Sequence, residues 1–296
     1  MTESSSSPQP DNSLPSAVSW RRLMERHHIH PDKGLGQNFL FQPQSLMKVT
    51  AAASLNGDET VLEIGAGIGS LTRVLAQEAN RVIAVEFDRR LMPALREATA
   101  GLTNVQLVGG DIMQIPLSGL LGGHEYVVVA NIPYNITSAL IRKLLETEAP
   151  PVQIVLTVQQ EVAQRIVALP GEMNLLALGV QIYGRPTIVG KIPAGAFYPS
   201  PRVDSAILRI DLPDRQPYSE RIVDAVFKLA RAGFEQRRKQ LKNSLDHGLP
   251  MAQPEIEAMM KAVGIEPRRR PQRLSVTEWV ALADEYLARI EADKKN

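Results

Sequence analysis

The chain has 296 residues, enough for one large domain or two unequal ones, and 44% of them are hydrophobic and 22% charged, the balance of a globular protein. It has no cysteine, which excludes disulfides, thiolate metal sites and a cysteine nucleophile, and no apolar run approaches the roughly 18 residues of a membrane span. Formal net charge is only +1 but is unevenly spread: from Arg221 onward 15 Lys and Arg face 11 Asp and Glu, a net of +4, against −3 for the preceding residues, so the C-terminal part is expected to meet a polyanion.

In chain order, "MTESSSSPQPDNSLPS" is rich in Ser and Pro without an apolar core, and residues 1–20 are expected to form a disordered tail. The tail lacks the pattern of a secretory signal. Its acidic residues and the absence of Arg before Arg21 argue against an organellar transit segment, so a cytoplasmic location is expected. "WRRLMERHHIHPDKGLGQNFL" predicts a short basic helix and then a turn at Gly34 and Gly36. Its histidines read as a solvated helix end, and no metal is expected.

From Thr60 short, fully apolar runs alternate with longer amphipathic stretches. "TVLEIG", "RVIAVEF", "VQLVGGD", "YVVVAN" and "QIVLTV" are predicted strands, with helices after Gly69, Asp88, Thr137 and Gln159. Strands this apolar are expected when helices cover both faces of a parallel sheet. The predicted fold is therefore α/β, an open doubly wound Rossmann-like sheet whose ligand lies past the carboxyl ends of its strands. "PTIVGKIPAGAFYPSPRVDSAILRIDL" reads as a hairpin closing one sheet edge. Beyond Pro213 the apolar spacing is helical throughout, which predicts a smaller all-helical domain. The expected division is a tail at 1–20, a cofactor-binding domain at 21–212 and the helical domain at 213–296.

Four motifs carry the chemistry. In "VLEIGAGIGS" a strand runs into Gly65, Gly67 and Gly69, where missing side chains let backbone amides approach a ligand. Ser70 stands where a nicotinamide fingerprint needs glycine, so the G-x-G-x-G spacing favours S-adenosylmethionine over NAD. Glu86, at the tip of the second strand, can accept both hydroxyl hydrogens of a ribose. Asp88 reads as an N-cap of the helix that follows. Asp111, at the third strand end, can accept from the amine of the cofactor adenine.

The fourth motif, "NIPY", answers a difficulty of amine chemistry. An adenine exocyclic amine is a poor nucleophile, because its lone pair is delocalised into the ring. The Asn131 side-chain oxygen and the Ile132 carbonyl can accept the two amine hydrogens, Pro133 fixes the turn, and Tyr134 offers a stacking face. The product loses its proton to solvent, so positioning and fixed dipoles suffice without a general base.

In this combination the chain resembles the ribosomal RNA adenine dimethyltransferases, most closely those of the small subunit, from about Trp20 to Leu287. Further matching stretches are "GLGQNFL", "QQEVAQRI", "AFYPSPRVDSAILRI", "FEQRRKQLKNSL" and "RLSVTEW". The resemblance implies S-adenosylmethionine as methyl donor and two neighbouring adenosines in a hairpin near the 3′ end of small-subunit rRNA as acceptors. It also implies that Asn38 and Leu40 contact the cofactor, that Gly65 and Gly67 line its site, and that Glu86 holds its ribose. Asp111 with Ile112 would read its adenine, Asn131 would close the cofactor site and face the target amine, and Tyr134 with Phe197 would sandwich the extruded base.

The basic stretch "RAGFEQRRKQLK" supplies Arg231, Arg237, Arg238, Lys239 and Lys242 as expected phosphate contacts, with Arg231, Arg238 and Lys242 along one helix face. Where relatives carry an aromatic and a basic residue after "QQEVAQRI", this chain has "GEMNLLALGV", expected as a loop with altered RNA contacts. Gln272 stands where an acidic residue is common. Competing readings are a large-subunit dimethylase, against which the long helical C-terminal part argues, a ribosome-assembly factor with dispensable catalysis, and, remotely, a nicotinamide oxidoreductase. The small ribosomal subunit is the expected partner, and a monomer suffices.

Overall fold

The structure, a computed structural model, describes residues 16–236 and 238–293. Residues 1–15 of the tail expected at 1–20 lie outside the described residues, as does Arg237. Helix α1 (Ala17–Arg26) begins earlier than expected, because the Ser16 hydroxyl accepts from Ser19 N and caps its first turn. Its Trp20, Leu23 and Met24 are buried.

The chain continues through β1 (Phe39–Leu40), α2 (Pro43–Ala52), β2 (Thr60–Ile64), α3 (Ser70–Glu78), β3 (Arg81–Glu86), α4 (Met92–Ala98), β4 (Val105–Gly109), α5 (Leu117–Leu121), β5 (Tyr126–Asn131), α6 (Thr137–Leu145), β6 (Gln153–Gln159), α7 (Gln160–Ile166) and α8 (Leu175–Gln181). A strand trio follows: β7 (Arg185–Ile192), β8 (Phe197–Tyr198) and β9 (Ser205–Asp211). Helices α9 (Glu220–Glu235), α10 (Leu241–Gly248), α11 (Gln253–Ala262) and α12 (Val276–Asp293) complete it.

The main sheet has the order β4-β3-β2-β5-β6-β9-β7, with the first five strands parallel and the β7–β9 hairpin antiparallel at one edge. Alternation along each strand splits the apolar residues between two cores. Leu62, Ile83, Val128 and Leu156 meet α6 on one face, while Val61, Val82, Val127 and Val155 meet α2 and α3 on the other. β2 pairs with β3 on one side and β5 on the other, so the direction of winding reverses there. A crevice opens at that switch point, beyond the carboxyl ends of the strands.

A third core belongs to the C-terminal helices, built around Trp279, Leu229, Met259 and Leu282. It also takes Met173, Ala177, Leu178 and Ile182, whereas Val180 of the same segment packs in the sheet core. The "GEMNLLALGV" stretch is thus not a loop. Its second half is helix α8, capped by Asn174, whose side-chain oxygen accepts from Leu176 N and Ala177 N at 3.1 Å each. The Gln272 carbonyl accepts from Gly171 N (2.7 Å) and Met173 N (3.2 Å), so the two departures from the familiar pattern meet each other.

The expected helical row of Arg231, Arg238 and Lys242 does not form. The helix breaks after Glu235, and Leu241 N donates to Arg269 O at 2.8 Å, which turns α10 back onto α9. This return buries Leu241 and Leu245 completely.

Candidate active site

The crevice at the switch point is a cavity of about 270 Å³ walled by Asn38, Gly65, Gly67, Glu86, Asp111, Ile112, Asn131, Ile132, Pro133 and Tyr134. These residues come from separate stretches of the chain and converge because the parallel strands β2 to β5 all end on one side of the sheet, where the loop before β1 adds Asn38. Gly67 has φ +60°, the left-handed conformation that favours glycine, and a Cβ there would crowd the Phe39 ring at 3.1 Å. Phe39, which lies in the "GLGQNFL" stretch between the expected contacts Asn38 and Leu40, thereby forms part of the wall.

Glu86 is buried, with one carboxylate oxygen accepting from Gly67 N and the other from Asp88 N, both at 2.7 Å. Burial pushes its pKa up, against the pull of those two N–H groups, which favour the ionised form. Each oxygen keeps a second lone pair, so the carboxylate can still accept two hydroxyl hydrogens. Asp111 accepts from Met113 N at 2.9 Å through one oxygen, and its other oxygen is available to a ligand amine.

Asp88 is not a helix cap. α4 starts four residues later, with Leu91 at the N-cap position and no side-chain cap. Asp88 instead accepts from Arg90 N (3.0 Å), pairs with the Arg90 guanidinium (2.7 Å) and accepts from Gln37 Nε2 (2.9 Å). The Arg90 hydrogen bonds hold its carboxyl below the usual range, despite partial burial. Because Gln37 Oε1 also accepts from Asp32 N (2.9 Å), the 32–39 loop is tied across the cavity onto the end of β3.

At the end of β5, Asn131 Nδ2 donates to the Asn38 carbonyl at 3.0 Å, and Asn131 Oδ1 accepts from the Thr157 hydroxyl. The Tyr134 ring stands on the wall with its hydroxyl 2.7 Å from Ser205 Oγ. Its burial raises the phenol pKa, so it stays neutral. Thr157 and Ser205 are both fully buried. Neither stands out in the sequence, where a hydroxyl inside a strand run carries no distinguishing signal.

Two expected site residues are elsewhere. Leu40 and Phe197 are direct partners in the antiparallel β1–β8 ribbon, and both are buried in the core beside α2. Alternation sends them inward. Their neighbours Phe39 and Tyr198 face the other way, and Tyr198 is exposed, with the Arg21 guanidinium 4.7 Å above its ring. Tyr134 is among the residues that wall the cavity, and Phe197 is not.

Of the expected phosphate contacts, Arg238 and Lys239 are exposed in the α9–α10 turn. Lys242 instead pairs with Glu257 at 2.7 Å, and Arg231 lies over the Phe227 ring in a cleft that also holds Glu220, Asp224 and Glu235. Among the described residues no cluster of His, Asp and Glu could hold a metal, and no helix is long and apolar enough to cross a membrane.

A glycine floor, a buried carboxylate ready for two hydroxyls and a second carboxylate beside Ile112 fit an adenosine-bearing cofactor. The family model described as ribosomal RNA adenine dimethylase matches residues 30–287. The chain belongs to that family. It is an S-adenosylmethionine-dependent rRNA adenine dimethyltransferase. Among its relatives, the ribosomal RNA small subunit methyltransferase A of Dehalococcoides mccartyi (strain CBDB1) is 45% identical over 267 residues, covering 90% of this chain and 92% of that one. A dimethyladenosine transferase from Plasmodium falciparum shares the fold, with a TM-score of 0.74 at 24% identity over 84% of this chain and 98% of its own. The 23S rRNA methyltransferase ErmE matches with a TM-score of 0.67 at 26% identity over 84% of this chain and 99% of its own.

Proposed function

We propose that this protein transfers two methyl groups to the exocyclic amine of each of two adjacent adenosines in the 3′-terminal hairpin of small-subunit rRNA, as a cytoplasmic monomer. One observation carries the reading: the "NIPY" wall and the Glu86 and Asp111 wall enclose the same cavity, so an acceptor amine and an adenosine-bearing donor meet there. Bound S-adenosylmethionine supplies an electrophilic methyl on a sulfonium. Glu86 holds its ribose hydroxyls, Asp111 and Ile112 hold its adenine, and Asn38, Gly65 and Gly67 close around it. Leu40 supports this site only from the core behind β1.

The residues of the chain then solve the problem of the nucleophile. The target adenine leaves its stack and lies on the Tyr134 face, at a cost of a few kcal/mol in lost stacking that interactions with the protein must offset. The free lone pair of Asn131 Oδ1 and the Ile132 carbonyl accept the amine hydrogens, which draws the nitrogen toward a pyramidal shape with its lone pair aimed at the methyl. Pro133 keeps the carbonyl and the ring in fixed relation. The methylated amine releases its proton to water. Arg238 and Lys239 anchor the RNA through phosphates, together with Arg237, their neighbour in sequence.

The large-subunit reading has no observation in its favour beyond a shared fold. The test is transfer of tritiated methyl from S-adenosylmethionine to small subunits lacking the modification, with large subunits in parallel. Label in small subunits, recovered as dimethyladenosine, is expected. Label confined to large subunits, or recovered as another nucleoside, overturns the assignment.

A further inference from the structure

Both ends of the Asn131 amide are held from within the protein. Nδ2 donates to the Asn38 carbonyl at 3.0 Å and Oδ1 accepts from the Thr157 hydroxyl. Thr157 is the direct lateral partner of Asn131 in the parallel β5–β6 pairing, and it is fully buried between Leu156 and Val158. A backbone carbonyl can only accept. The Asn38 side therefore fixes where the amide nitrogen lies, and the hydroxyl opposite fixes the oxygen. An asparagine amide has two donor hydrogens and two acceptor lone pairs, so one of each remains for the cavity.

We infer that Thr157 is a positioning residue for methyl transfer: its hydroxyl locks the Asn131 amide so that the remaining Oδ1 lone pair, and not an N–H, meets the target amine. This rests on the reading of Asn131 as acceptor for that amine. The terminal torsion of asparagine is broad, so without the hydroxyl the amide keeps only the Asn38 carbonyl as a restraint and samples more orientations. An N–H turned toward the substrate would donate to the nitrogen lone pair that must attack. The second transfer depends most on this lock. After the first methyl the nitrogen keeps one hydrogen, so one acceptor must hold it where two did before.

The test compares Thr157→Val, Thr157→Ser and wild type on unmodified small subunits, measuring kcat, KM for RNA, cofactor Kd and the ratio of mono- to dimethyladenosine. Valine keeps the shape and suits a buried strand, so the variant folds. Expected for Thr157→Val are a kcat lowered about tenfold, the worth of one net hydrogen bond, accumulation of monomethyladenosine, and KM and Kd within about twofold of wild type. Thr157→Ser restores both kcat and product ratio.

Ser205→Ala serves as the contrast, because it frees the Tyr134 hydroxyl instead. It is expected to raise KM for RNA and leave the product ratio alone. An unchanged kcat in Thr157→Val, failure of serine to rescue, or identical profiles for Thr157→Val and Ser205→Ala overturns the inference while the function stands. Absence of dimethyladenosine from the wild-type reaction overturns the function itself, and this inference with it.

Discussion

Glu63 sits in β2, two residues before Gly65, with 1% of its surface exposed. Its Oε2 finds no hydrogen-bond partner among the described residues, although the Thr72 side chain lies beside it. Burial pushes its pKa from 4.5 to about 8, the nearby Glu86 adding to the rise and Thr72 opposing it. The acid is therefore protonated in the folded state at neutral pH and ionised in the unfolded chain. The folded state binds the extra proton, so stability is full below about pH 4.5 and falls as pH rises toward 8, at about 1.4 kcal/mol per pH unit. Glu63→Gln keeps the shape and removes the titration. Between about pH 6 and pH 8 the wild type should lose about 2–3 kcal/mol relative to the variant. With an unfolding entropy of about 2 cal/mol/K per residue, that is a gap in melting temperature widening by about 4 °C. Differential scanning calorimetry of both proteins across this range reads the gap directly, and groups shared by the two proteins cancel. A gap that stays constant would refute the argument, because it would mean that Glu63 is ionised in the folded protein.

Tyr134→Ala removes the stacking face but no group assigned to the donor. Methylation should fall by at least about a hundredfold while calorimetric affinity for S-adenosylmethionine stays within about threefold, the loss being a base–aromatic stack of about 1–3 kcal/mol together with the orientation it provides. A parallel collapse of cofactor affinity would reassign the ring. Arg238→Ala combined with Lys239→Ala should weaken binding to small-subunit rRNA and flatten the dependence of log affinity on log salt by about 1.5, from roughly 0.7–0.9 for each phosphate that is no longer neutralised. An unchanged slope would remove the α9–α10 turn from the RNA interface.

The parallel strands were legible because burial on both faces demands short, continuous apolar runs. Tyr126–Asn131 and Gln153–Gln159 coincide closely with what "YVVVAN" and "QIVLTV" suggest. The β1–β8 ribbon was not legible. Two-residue strands have no periodicity to read, and only tertiary pairing decides that Leu40 and Phe197 face the core beside α2 while Phe39 turns to the cavity wall and Tyr198 to the surface. A motif such as "GQNFL" or "AFYPSP" marks the right neighbourhood, but not which side chain turns toward the ligand. The basic stretch misled for a related reason. Its apolar spacing continues in phase from Phe234 to Leu245, yet the helix ends at Glu235 and Leu241 N donates to Arg269 O at the start of the next one, so the charges are separated. Local pattern gives the period, while long-range interactions choose where it stops.

These differences bear on how such a site stays accurate without a tuned acid or base. If transfer needs only geometry, then the register of the sheet is part of the catalytic apparatus. Asn131 faces Thr157 and Gln159 faces Ser205 because β6 is locked between β5 and β9 by rows of buried aliphatic residues on both faces. A slip of one residue would turn the Asn131 amide into the core and expose its apolar neighbour Ala130, losing the burial of several side chains at roughly 1.5–3 kcal/mol each for the larger ones. The same apolar runs that made the strands readable therefore hold the Asn131 amide opposite Thr157, as the proposed acceptor role requires. The antiparallel hairpin at the sheet edge supplies β9, whose Ser205 reaches the Tyr134 hydroxyl from the side of the sheet away from β2, β3 and β4.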